Sequence, residues 1–139
     1  MWQDARTDSP AATRQAGAQL AAELPPGAVV ALHGGLGSGK TTFVQGMAAG
    51  LGLEEEITSP TFALIHEYGR PARLFHIDCY REPSLDRWVG LGLSEYFATD
   101  AIAVVEWPEA IAALLPPETV HLQFELGATP DERLIRRAR

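Results

Sequence analysis

Residues 34–41 read Gly-Gly-Leu-Gly-Ser-Gly-Lys-Thr and satisfy the pattern G-x-x-x-x-G-K-[S/T] in full. These residue types suit one task, the holding of a chain of phosphates. Glycines let the backbone curl around an anion and turn its N–H groups inward. A helix that starts at the end of such a loop adds its positive N-terminus. The Lys40 ammonium can bridge β- and γ-phosphates, and the Thr41 hydroxyl can ligate magnesium. Gly37, Ser38, Gly39, Lys40, Thr41 and Thr42 are therefore the expected nucleotide-binding residues, with ATP and Mg2+ as ligands. The chain holds eleven basic residues, of which Lys40 is the only lysine. A compact point charge, not a wide planar fork, is what sliding along phosphates requires.

Magnesium beside a phosphate loop needs an acid at the end of a nearby strand. Asp78 ends Leu74-Phe75-His76-Ile77, and Glu106 ends Ile102-Ala103-Val104-Val105. Either could touch the metal, or one could hold a metal-bound or attacking water, and the residues alone do not rank them. The stretch Thr58-Ser59-Pro60-Thr61 could sense the γ-phosphate as switch loops do, or be an ordinary connection. His76 and Tyr80 read as packing residues. Arg81 could approach the phosphates or pair with an acid. Trp107 is expected to pack near Glu106 and the loop.

The elements that must position these residues are readable in outline. Residues 9–23 predict a helix with Ser9 as cap and Pro10 in the first turn, ended by Pro25, Pro26 and Gly27. Residues 28–32, Ala-Val-Val-Ala-Leu, form a short continuous apolar run, as in a strand buried on both faces. Residues 41–51 predict the helix after the loop. Strands are expected at 62–66 and 73–78, separated by a turn at Gly69, Arg70 and Pro71. Short helical turns should fill 83–99. A second buried strand is expected at 101–106, a short helix from Pro108 to Leu115, an alternating strand at 120–126, and a last strand near 133–138. The expectation is α/β: one P-loop NTPase domain over residues 1–139. Its mixed sheet would have a parallel core, antiparallel additions at 62–78 and at the C-terminus, and flanking helices.

Composition narrows the class. A chain of 139 residues that is 46% apolar can bury a single core. No apolar run reaches the roughly 18 residues of a membrane span, and the first residues lack the pattern of a signal peptide. Cys79 is the only cysteine, so no intramolecular disulfide can form. The cytoplasm is the expected compartment. The formal net charge of -7 argues against tight nucleic-acid binding by this chain alone. The exception is a cluster of Arg133, Arg136, Arg137 and Arg139, which could touch RNA or an acidic partner but reads first as a solvated edge strand or tail.

Taken together, GGLGSGKTT, SPTF at 59–62, HIDCYR at 76–81 and VEWPE at 105–109 resemble the bacterial TsaE family of tRNA threonylcarbamoyladenosine biosynthesis ATPases. The order and spacing match over nearly the whole chain, and Thr13 and Gly17 in the first helix fit as well. The resemblance implies an ATPase needed for the N6-threonylcarbamoyl mark on adenosine 37 of tRNAs that read codons starting with A. It implies docking on the TsaB–TsaD heterodimer, which performs the transfer and is reset by ATP hydrolysis, with tRNA met only indirectly and no membrane involved. It makes Lys40 and Asp78 the catalytic residues and Thr41 and Glu106 the magnesium ligands. Ser59 and Thr61 fall in the family's switch-like loop. One departure is Gly35, where the family usually carries an acid.

Two other activities are conceivable. A small-molecule kinase would need an acceptor pocket and an arginine-bearing lid. No long insert follows the loop to build one, although Arg70, Arg73 and Arg81 are available. A nucleotide-dependent binding module with little turnover is the other, since no evident water-positioning glutamine or in-cis arginine finger follows the loop. Guanine specificity is not expected, since the chain has no asparagine and hence no N-K-x-D reader.

Overall fold

The computed structural model describes residues 2–54, 57 and 64–138. Its centre is β2 (Val29–His33), an apolar segment with Val30, Ala31 and Leu32 wholly buried. A strand that is apolar on both faces must sit inside a sheet covered on both sides. β2 accordingly pairs in parallel with β5 (Ile102–Glu106) on one side and β6 (Val120–Leu126) on the other. β4 (Leu74–Asp78) extends the parallel set beside β5. Antiparallel strands close both edges: β3 (Ile65–Tyr68) on β4, β7 (Arg133–Arg137) on β6, and β1 (Ala5–Thr7) on β7. The order is β1-β7-β6-β2-β5-β4-β3.

The mixed sheet with its parallel core and antiparallel additions is as the sequence implies, with three refinements. β4 and β6 each have a parallel neighbour as well as an antiparallel one. The strand expected at 62–66 occupies Ile65–Tyr68, and positions 62 and 63 lie outside the described residues. β1 was not anticipated. It is three residues long and is held by β7 and by a hydroxyl contact of 2.7 Å between Thr7 and Thr13.

One face of the sheet is covered by α1 (Pro10–Glu23) and α2 (Lys40–Gly50). Leu20 of α1 and Phe43, Val44 and Met47 of α2 pack with Val30, Leu32, Val104 and Leu122. α1 starts where its sequence says it should. The Ser9 side chain accepts from the Ala12 N–H at 3.1 Å, and Pro10 occupies the first turn. The two helices touch through glycines. A Cβ at Gly46 would lie 1.8 Å from the Arg14 carbonyl oxygen, and one at Gly17 would lie 2.2 Å from that of Phe43. The opposite face is covered by α3 (Leu85–Gly90), α4 (Leu93–Phe97) and a 3-10 helix (Pro108–Leu114). Trp88, Leu93 and Ile111 there bury Phe75, Ile77, Ala103 and Val105. Among the described residues no helix is long and apolar enough to cross a membrane.

Candidate functional site

β2 delivers the chain to the loop at His33, and α2 begins at Lys40. Between them Gly39 has φ 98°, a left-handed conformation that side chains resist, and it caps α2 without a side chain. Gly35 differs. A Cβ there meets nothing within 4 Å, so the fold does not require glycine and an acid would fit. The loop is tightened by Ser38 N–H donating to the Gly35 carbonyl at 3.3 Å.

Lys40 is 5% exposed. Its Nζ donates to the Gly34 carbonyl at 2.6 Å and sits 3.7 Å from the centre of the Trp107 ring. Burial lowers the Lys40 pKa from its ordinary value, while the charges of Glu106, Asp78 and Glu109 oppose that shift. Trp107 reaches this position from a strained backbone. It has φ 55°, the only non-glycine left-handed residue among those described.

The two candidate acids are brought together. Asp78 and Glu106 are register partners at the ends of β4 and β5. Both line a cavity of about 450 Å³ with loop residues 36–42. Tyr80, Arg81, Trp107 and Arg133 complete its wall. Every site residue expected from the sequence, namely Gly37, Ser38, Gly39, Lys40, Thr41, Thr42, Asp78 and Glu106, lines this one cavity. Burial raises the Asp78 pKa above the usual carboxylate value, and Glu106 adds to the rise. The N–H of Tyr80, which donates to Oδ1 at 2.9 Å, together with His76 and Lys40, works against it. The Thr41 hydroxyl and two carboxylates are hard oxygen donors, the set magnesium takes when substrate phosphates supply the remainder. Among the described residues no three His, Cys, Asp or Glu side chains are grouped as a metal site. The Ser38 hydroxyl is buried in the loop without a hydrogen-bond partner among the described residues.

Three readings of the sequence need correction. His76 is more than packing. It is fully buried and shares a hydrogen bond between its Nε2 and Oε2 of Glu106. Tyr80 is 53% exposed on the cavity wall, its ring 4.9 Å from that of Trp107. Arg133 is not part of a solvated tail. Its Nη2 donates to the Gly37 carbonyl at 3.1 Å, and its Nη1 donates to the carbonyls of Pro130 at 2.6 Å and Glu132 at 2.9 Å. Arg136 is solvated as first read, on an exposed ion pair to Glu125, although β7 is covered by β1 and is not an edge strand; Arg139 lies outside the described residues. The Thr58-Ser59-Pro60-Thr61 segment lies outside the described residues.

Known proteins decide which family owns this geometry. The family model described as "Threonylcarbamoyl adenosine biosynthesis protein TsaE" matches residues 7–135. The chain belongs to the TsaE family. A Treponema pallidum protein named "tRNA threonylcarbamoyladenosine biosynthesis protein TsaE" is 44% identical, over 76% of this chain and 78% of its own. A Bacillus subtilis protein of the same name is 41% identical, over 94% of this chain and 81% of its own. The crystal structure of Bacillus subtilis YdiB superposes with a TM-score of 0.74 and 37% identity, covering 95% of this chain and 81% of that one. A role in threonylcarbamoyladenosine biosynthesis comes with the family. The loop, Asp78, Glu106 and Trp107 all fall within its matched span.

Proposed function

We infer that this chain binds ATP with magnesium in the loop cavity and hydrolyses it as an accessory to the TsaB–TsaD pair. The observation that carries the reading is the placement of Lys40. A buried ammonium faces two strand-end carboxylates across a cavity floored by glycine-loop backbone. A lone buried cation is costly. Here it has the acids for company and room for a polyanion between.

Each group has a part that its geometry allows. Lys40 leaves the Gly34 carbonyl and the Trp107 face to meet β- and γ-phosphates. Thr41 and Glu106 would hold magnesium, which when bound would neutralise charge on the phosphate oxygens. Asp78, whose raised pKa favours the proton more than an exposed aspartate would, stands at the strand end where an attacking water would be oriented. Turnover by the chain alone is expected to be weak. Among the described residues no glutamine lies on the cavity wall, and the guanidinium of Arg133 is engaged by three carbonyls. These features suit an ATPase whose rate is raised by a partner.

Mixing with a cognate TsaB–TsaD pair tests this. The expected result is a complex in the presence of ATP and faster phosphate release than from this chain alone. Neither binding nor stimulation would overturn the partner assignment.

A further inference from the structure

His76 is a fully buried titratable side chain for which the hydrolytic reading has no use. It stands on β4 two residues before Asp78, so the two side chains leave the same face of the sheet. That face also carries Leu74 and Val104, which belong to the apolar core under α1 and α2. A polar ring placed there needs a reason, because an unpaired polar group in the core destabilises. Its Nε2 meets Oε2 of Glu106, while its Nδ1 is buried and has no partner among the described residues. An imidazole nitrogen within hydrogen-bond reach of a carboxylate oxygen carries an N–H toward it in either protonation state of the ring. The ring is thus a donor to one oxygen of Glu106, from below the cavity. Glu106 is itself 4% exposed and lines the cavity. The hydrogen bond thereby holds its three-torsion side chain in one orientation.

We propose that His76 is a positioning residue for Glu106, fixing its carboxylate so that it is set to take a divalent cation. This rests on the reading of Glu106 as the magnesium-side acid. The donor set a metal meets is itself hydrogen-bonded from behind, and loss of such a partner costs about 10–100-fold in metal affinity. A histidine serving the core alone would affect stability and leave metal dependence untouched.

The test is a magnesium titration of ATP binding, beside ATP affinity in chelator and the thermal midpoint, for H76L, H76Q, H76N, E106Q and H76L/E106Q. H76L keeps most of the volume and removes the donor. It should weaken apparent magnesium affinity about 10–100-fold while metal-free ATP affinity stays within about twofold. H76Q, whose amide can reach where Nε2 sits, should recover most of the loss. H76N, too short to reach, should not. Adding H76L to E106Q should cause no further change. Wild-type magnesium dependence in H76L, or an undiminished loss in the E106Q background, would overturn the positioning role. Wild-type magnesium dependence in E106Q would instead overturn the reading of Glu106, and the role of His76 with it. If H76L does not fold, equal behaviour of H76Q and H76N counts against the proposal, and recovery by H76Q alone supports it.

Discussion

Arg133 offers a quantitative check on how the loop is held. Its guanidinium reaches from the start of β7 to the Gly37 carbonyl at 3.1 Å. The Pro130 and Glu132 carbonyls anchor it from behind. In a trans peptide the carbonyl and the next N–H point in opposite directions. With the Gly37 carbonyl turned to Arg133, the Ser38 N–H is turned away from it, and it donates at present to Gly35. Arg133 therefore fixes the orientation of the peptide between Gly37 and Ser38, and with it the shape of the loop a phosphate would meet. Arg133→Gln removes this brace and lets the Gly37 carbonyl turn to water. One partly exposed hydrogen bond contributes about 0.5–1.5 kcal/mol, so ATP affinity should fall about 2- to 12-fold. Arg133→Lys keeps the charge and loses the planar fork that spans three carbonyls, so it should recover only part of the loss. Calorimetric titration of the three proteins with Mg·ATP, at one salt concentration, measures this. Wild-type affinity in a folded Arg133→Gln would refute the brace. Full recovery by lysine would show that charge alone matters.

Gly46→Ala should destabilise by about 1–3 kcal/mol although alanine favours helices, because its methyl would collide with the Arg14 carbonyl across the α1–α2 contact. A rise in the urea midpoint would contradict the packing described. His33, at the end of β2, should make folding pH-dependent. Burial and the neighbouring His121, 2.9 Å away, hold its pKa below 6.5, with Lys40 adding slightly and Glu109 opposing. A folded value below the unfolded one means that this contribution is present above about pH 6.5 and lost as pH falls through the folded value. The urea midpoint should therefore drop between pH 7.5 and pH 5, and less steeply in His33→Gln. An unchanged slope in that variant would remove His33 from the account.

What the sequence reveals and conceals follows from how local each cause is. The phosphate loop is legible because its demands are met within eight residues: Gly39 must adopt φ 98° and Lys40 must follow it. β2 and β5 are legible because burial on both faces leaves an apolar run that nothing else explains. α1 announces itself through Ser9 and Pro10. The interaction of His76 with Glu106 spans thirty residues and requires β4 and β5 to be in register, which no local pattern encodes. Arg133 sits 96 residues from Gly37 and reaches it only because the β6–β7 hairpin folds beside β2, so within the chain it looks like one more arginine in a basic tail. β1 escapes notice because three half-polar residues carry no periodicity, and its pairing with β7 is set by the other end of the chain.

The central claim is that the cavity around Lys40 holds the phosphates of ATP. Calorimetry of Mg·ATP binding to the wild-type chain and to Lys40→Ala tests it most directly. One charge-assisted contact is worth about 1.5–3 kcal/mol, so the variant should bind about 10- to 150-fold more weakly while remaining folded. Equal affinity in the two proteins would place the phosphates elsewhere and contradict the account.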